Sequence, residues 1–350
     1  MPFDFLQPQA DLSARNTLAL PARAKWLATV TQTGQLAVLA THPEFRSLPR
    51  LALGCGSNLV FSGDFQGTMI AIALKGREYL RADDTAHYVA AAAGENWHDF
   101  VQWTLAQGWP GLENLVHIPG TVGAAPIQNI GAYGMEAGSL IDSLEVADMA
   151  TGGEIRRFAA TDCAFGYRQS IFKREGWHRT GRCVITRVIF RLPKHWQPHT
   201  AYGEVAAELA RAGVTRPDPL QMAATIADLR RRKLPDPATL PNAGSFFQNP
   251  VVSAEFAAAL ASAHPDLPRH PQPDGNVKLS AGWLIEQVGW KGRNLGRVGM
   301  YEKQALILVN RGGANGRDVL NLGRAVREAV FARFGVQLVP EPVIVGGARS

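Results

Sequence analysis

Long hydrophobic runs are missing from this sequence. No stretch approaches the ~20 consecutive apolar residues that a membrane span requires. The N-terminus, "MPFDFLQPQADLSARN", has neither the basic start nor the apolar run of a signal peptide. Cysteine is scarce: Cys55, Cys163 and Cys183 form no CxxC pair and leave an odd thiol, which argues against a disulfide framework. Metal-site spacings are also absent. His195 and His199 are four apart, but Pro198 spoils a helical pair, and there is no HExxH. Neither a P-loop nor a GxSxG nucleophile elbow occurs, so P-loop and hydrolase chemistry lose their usual signatures. The expectation is a cytoplasmic protein with no membrane contact and no metal.

What is present fits a globular chain. Its 350 residues are enough for two or three cores, and 46% hydrophobic with 19% charged residues excludes wholesale disorder. The net charge of +6 suits an anionic ligand. Basic residues gather in "GYRQSIFKRE" (166–175), "RRRK" (230–233) and "WKGRNLGR" (290–297), each of which also reads as a solvated face. Basic residues interleaved with exposed aromatics, the mark of a nucleic-acid surface, do not occur; phosphorylated small molecules fit better.

The first sixty-odd residues read as short strands and turns, with "KWLATV" (25–30) and "PRLALG" (49–54) strand-like. A helix is predicted at 97–107, starting at the N-cap Asn96 and stopping at Gly108. Alternation at 144–149, 154–159 and 183–192 predicts sheet. The texture changes near 195–205, where a domain boundary is placed. Helical spacing follows at 220–237, 253–264, 280–290 and 316–335, and strands at 305–310 and 338–347.

Two glycine-rich segments stand out. "GCGSN" (Gly54, Cys55, Gly56, Ser57, Asn58) follows an apolar strand. Glycine permits positive φ, so its amides can form an anion-holding nest, although a tight β-turn explains the pentapeptide equally well. It is not the GxGxxG fingerprint, because no helix opens there. The segment "IPGTVGAAPIQNIGAYG" (118–134) has four glycines, two prolines and no charge. It leaves its backbone open and offers the amides of Gln128 and Asn129, which suits a flat ligand bearing a pyrophosphate. An Ω-loop packed on itself is the competing account.

Together with "GENWHDFVQWTLAQGWPGLENLVH" leading into that loop, and with "FGYRQSIFK", "KLPDP…NAGSFFQNP" and "LVPEPVIVG", these segments resemble the UDP-N-acetylenolpyruvoylglucosamine reductase family from about residue 20 to 347. The resemblance implies an α+β chain with an FAD-binding fold of the PCMH or vanillyl-alcohol-oxidase type. That fold would span 18–195 as two subdomains split near 65–70, with a C-terminal α+β substrate domain at 201–350. It implies noncovalent FAD, with Cys55 a small spacer, and NADPH as reductant. Gly54 to Asn58 would hold the FAD. So would Ile118, Pro119, Gly120, Thr121, Val122, Gly123, Ala124, Pro126, Gln128, Asn129 and Gly131.

The reaction implied is reduction of UDP-N-acetylglucosamine enolpyruvate to UDP-N-acetylmuramate in peptidoglycan synthesis, with hydride from flavin N5 to C3 and a proton to C2. By the same resemblance Ser245 is the proton donor and Arg168 faces the carboxylate. Glu341, protonated or hydrogen-bonded, stabilises the enolic intermediate. Tyr133, Tyr202, Lys233, Asn249 and Gln304 would bind substrate, and Tyr202 marks the subtype whose loop closes over the diphosphate. The chain is expected to act as a monomer. A flavin oxidase of the same fold and a catalytically silent UDP-sugar binder are the competing readings.

Overall fold

The computed structural model describes residues 3–346. The chain forms two compact units, each built from separated segments. The first gathers the chain up to Ala10, Ala24–Cys55 and Gln66–Arg232; the second gathers Asp11–Arg23, Gly56–Phe65 and the chain from Lys233 on. The architecture is α+β.

The first unit holds two sheets. One orders the strands Leu6–Asp11, Arg23–Val30, Phe65–Ile72 and Arg50–Leu53. Its last pair is parallel, and Arg23–Val30 and Arg50–Leu53, consecutive in the chain but not neighbours in the sheet, are joined by a crossover. That crossover contains the helix Gly34–Thr41 and the single turn Pro43–Arg46, where the sequence reading expected only strands and turns. The helix lacks a side-chain cap at Thr33. Tertiary packing sustains it instead: Leu36 and Leu39, three residues apart on one face, are fully buried against Trp26, Ala28, Val30 and Ile70.

The other sheet is antiparallel, in the order Glu154–Ala159, Ile141–Asp148, Cys183–Pro193, Ala86–Ala92, Arg77–Ala82. The helix Trp97–Ala106 covers it, burying Trp97, Phe100, Val101 and Leu105 against Val89, Val188 and Phe190. Asn96 caps that helix by accepting from the Asp99 N–H at 3.1 Å, and Trp97 Nε1 donates to the Leu115 carbonyl at 2.8 Å. The same core takes in Val205 and Leu209 of helix Gly203–Arg211 and Met222, Ile226 and Leu229 of helix Pro219–Lys233. The expected boundary at 195–205 therefore falls inside this unit.

The second unit centres on an antiparallel sheet ordered Asn242–Ser245, Ile307–Asn310, Val298–Met300, Asn294–Leu295. Its long helix, Gly316–Phe334, opens with a capping box of Asn315 and Asp318 and ends at Gly335 with φ +65°. Of the stretch 338–347, expected as a strand, only Val343–Val345 is extended in a ladder, parallel to Leu59–Phe61. The first half makes only a single antiparallel bridge, Pro340 opposite Phe247, and Pro340 and Pro342 have no N–H with which to extend it. Gly347, and with it the end of the 201–350 domain, lies outside the described residues.

Candidate functional site

The first glycine loop leaves the strand Arg50–Leu53. Gly54 packs on Thr121 of the second loop so closely that an added Cβ would lie 2.8 Å from Thr121 Oγ1. Both belong to the first unit, which brings the two glycine segments into contact there. Gly56 has φ +69°, and its missing side chain is replaced by the Arg15 carbonyl. The Thr17 N–H donates to the Gly56 carbonyl at 3.2 Å, and the Asn242 N–H to the Thr17 carbonyl at 2.9 Å. Within the second unit Thr17 therefore ties the first loop to the strand that ends at Ser245. The sequence reading missed this link, because "RNT" carries no pattern beyond ordinary turn residues.

The second loop is less bare than its composition suggests. The Val122 and Gly123 amides donate to the Glu95 and Ala93 carbonyls, both at 2.9 Å, and those of Ala124 and Ala125 turn back to Thr121. Gly123 has no side chain because Ala93 occupies its place. The expectation that the whole backbone faces a ligand is corrected here: residues 122–125 form a short turn pinned to the end of the strand Ala86–Ala92. The amides of Cys55, Gly56, Gly120 and Thr121, by contrast, donate to no acceptor among the described residues. The buried Gln128 Oε1 has no hydrogen-bond partner either. Unengaged donors in glycine loops suit the pyrophosphate of FAD, and the residues present fit that cofactor.

Asn129 braces the loop from within. Its Oδ1 accepts from the Gly138 N–H at 2.7 Å, while Nδ2 donates to Glu136 Oε2 at 2.7 Å and to the Gly166 carbonyl at 3.0 Å. The Gly131 carbonyl accepts from an Arg168 guanidinium nitrogen at 3.3 Å. Arg168 itself has φ +53°, a left-handed conformation that a branched or long side chain rarely adopts, and Lys173 Nζ holds its carbonyl at 2.7 Å.

Tyr133, also left-handed at φ +48°, meets Tyr202 edge to face with ring centroids 5.4 Å apart. Burial, first among the causes, raises the pKa of both phenols. The buried Asn114 fixes the neighbourhood by donating to the Tyr133 and His199 carbonyls at 3.1 and 3.0 Å.

In the second unit, Ser245 ends the strand Asn242–Ser245 just after Gly244, whose φ is +68°. The Glu341 N–H donates to the Phe246 carbonyl at 2.9 Å, and the Val343 N–H donates to the Asn58 carbonyl at 3.0 Å. Asn58 Nδ2 reaches the Glu341 carbonyl at 3.5 Å. Ser245, Glu341 and Asn58 thus sit on three neighbouring segments. Asn249 Oδ1 accepts the first amide of the helix Ala281–Gln287, from Ala281, at 2.9 Å. Gln304 Oε1 accepts from the Leu306 N–H at 3.4 Å, and Lys233 is the last residue of its helix. Asn249 therefore caps a helix far along the chain, whereas Gln304 holds its own turn.

The comparisons with known proteins agree with this geometry. Residues 24–158 match the FAD binding domain family, and residues 236–345 match the C-terminal domain of UDP-N-acetylenolpyruvoylglucosamine reductase. The fold and the loops define an FAD-dependent oxidoreductase. The chain is 56% identical over 340 residues to the UDP-N-acetylenolpyruvoylglucosamine reductase of Azoarcus sp. (strain BH72), covering 96% of each. It is 55% identical over 340 residues to that of Dechloromonas aromatica (strain RCB), covering 96% of this chain and 98% of the relative. The crystal structure of the Thermus caldophilus enzyme of that name matches with a TM-score of 0.66 at 25% identity, over 98% of this chain and all of the other. The chain belongs to the UDP-N-acetylenolpyruvoylglucosamine reductase family.

Proposed function

We propose that this chain reduces UDP-N-acetylglucosamine enolpyruvate to UDP-N-acetylmuramate with NADPH, as a cytoplasmic monomer in peptidoglycan precursor synthesis. Among the described residues no helix is long and apolar enough to cross a membrane. The work divides between an FAD-binding part and a C-terminal substrate part. When bound, FAD would supply the hydride chemistry that links NADPH to C3 of the enolpyruvyl group. Its holders are the glycine loops, through the amides of Cys55, Gly56, Gly120 and Thr121.

The residues of the chain supply everything else the reaction needs. As C3 gains hydride, negative charge builds at C2 and in its carboxylate. Arg168 meets that carboxylate with a planar, permanently charged fork and favours the charge-rich state. Ser245 gives its hydroxyl proton to C2, making the new C–H bond, and is reprotonated from solvent. Serine is a weak acid, so it serves only because the centre it protonates is strongly basic and the hydroxyl is held in place. Glu341, hydrogen-bonded or protonated, stabilises the enolic species beside Ser245. Tyr202 closes with Tyr133 over the diphosphate and excludes water. Lys233, Asn249 and Gln304 complete the nucleotide-sugar pocket.

The observation that carries this reading is the bond from the Glu341 N–H to the Phe246 carbonyl at 2.9 Å, which holds the one carboxylate of "VPEPV" beside the strand of Ser245. The test is anaerobic. Purified protein is expected to be yellow, to bleach with NADPH, and to recover its colour only on addition of the enolpyruvyl substrate. Yellow protein that NADPH does not bleach is the flavin-oxidase outcome; colourless protein that binds UDP-sugars is a silent binder. Either result rejects the reading.

A further inference from the structure

Arg168 stands on a turn that is held from several sides. The backbones of Gly166 and Gln169 exchange two hydrogen bonds, at 3.2 and 3.0 Å, which closes a four-residue turn over Tyr167 and Arg168. Arg168 takes its third position at φ +53°, where glycine is the usual occupant. A left-handed arginine is strained and persists only where its surroundings fix it. Here both polar ends of the peptide that follows it are fixed. The Gln169 N–H donates to the Gly166 carbonyl, and Lys173 Nζ, five residues beyond Arg168, donates to the Arg168 carbonyl at 2.7 Å. A peptide unit is planar, so holding its two ends sets the direction in which Arg168 leaves the turn.

The same segment is tied to the glycine loop at 118–134. The buried Ser170 donates through Oγ to the Ile127 carbonyl at 2.6 Å and accepts the Lys173 N–H at 3.4 Å. Asn129 Nδ2 adds its bond to the Gly166 carbonyl at 3.0 Å. Lys173 is thus anchored by its amide, through Ser170, to the second glycine loop and by its ammonium to Arg168.

We infer that Lys173 is a positioning residue for the reduction: its ammonium holds the Arg168 turn so that the guanidinium meets the substrate carboxylate. The inference rests on the proposed function and adds a residue to which that reading gives no task. A charged donor on this carbonyl favours the left-handed turn over its relaxed alternatives more strongly than a neutral donor would.

The test uses the FAD-loaded protein with Lys173→Met, Lys173→Arg, Arg168→Lys and the double variant Lys173→Met/Arg168→Lys. Flavin reduction by NADPH and reoxidation by the enolpyruvyl substrate are timed separately by stopped flow, with FAD affinity measured alongside. Lys173→Met is expected to slow reoxidation about 10- to 100-fold, the range for loss of a hydrogen bond to a charged group. Reduction by NADPH and FAD affinity should not change. Lys173→Arg keeps a cation for a single carbonyl, a contact that needs no particular fork, and should recover most of the lost rate. With Arg168→Lys in place, Lys173→Met should cost less than about 3-fold more, because the two residues act through one guanidinium. Lys173→Gln replaces the methionine variant throughout if that one does not fold.

Reoxidation of Lys173→Met at the unsubstituted rate, equal slowing of both half-reactions, or losses that multiply in the double variant overturn the inference. Lys173→Arg as slow as Lys173→Met does the same. Normal reoxidation of Arg168→Lys rejects the role given to Arg168 and the inference with it. Unsubstituted protein that the substrate does not reoxidise rejects the function itself.

Discussion

Gly54 lies against Thr121 with no room for a side chain: an added Cβ would stand 2.8 Å from Thr121 Oγ1 and 3.6 Å from the Ala124 Cβ. The contact locks the first glycine loop to the second at a residue whose amide has no acceptor among the described residues. Gly54→Ala should therefore push Thr121 aside and weaken FAD about 3- to 10-fold, the scale of a mild overpacking strain of about 1 kcal/mol. The double variant Gly54→Ala/Thr121→Ala removes the obstructing hydroxyl and should bind FAD as tightly as Thr121→Ala alone. Flavin fluorescence titration of the apoprotein measures both. An additive double variant would mean that the two loops are not coupled through this contact.

Arg168 adopts φ +53°, and lysine at the same position would meet the same backbone strain, so Arg168→Lys isolates the guanidinium. Losing the fork should lower kcat/KM for the enolpyruvyl substrate about 100-fold, or roughly 2.7 kcal/mol of transition-state stabilisation. Flavin content should stay the same. Steady-state kinetics with saturating NADPH checks this; near-normal turnover would remove Arg168 from the site.

The rings of His98 and His117 stack with centroids 4.0 Å apart, and the His117 N–H donates to His98 Nδ1 at 3.3 Å. Burial lowers both pKa values; Arg231 lowers both further, Arg230 also lowers that of His117, and Asp99 and Asp228 oppose in part. Below about pH 6.5 the unfolded chain takes up protons that this pair resists, so stability is present at neutral pH and is lost as the pH falls. The melting temperature should drop between about pH 7.5 and 5.5. His98→Gln, which removes one imidazole and its effect on the other, should flatten that dependence. Parallel curves for the two proteins would show that the stack does not govern it.

Much of this arrangement was legible in the residues, and the parts that were not have physical reasons. The helix Trp97–Ala106 announced itself through Asn96 at one end and Gly108 at the other, both local signals. The helix Gly34–Thr41 carries no such cap and exists because Leu36 and Leu39 find a sheet to cover, which a local reading does not see. The segment 201–232 reads as part of the chain that follows it, yet its apolar residues share a core with Trp97 and Phe100. Gly123 looked like backbone cleared for a ligand, whereas Ala93 claims the space.

The central claim is that Ser245 delivers the proton that completes reduction, after and apart from reduction of the flavin. Stopped-flow measurement of the two half-reactions in Ser245→Ala tests it most directly. Reduction of the bound flavin by NADPH should keep its normal rate, while reoxidation by the enolpyruvyl substrate should slow by about 100-fold or more, the usual reach of a positioned general acid. Equal slowing of both half-reactions, or reoxidation at the unsubstituted rate, would contradict the account.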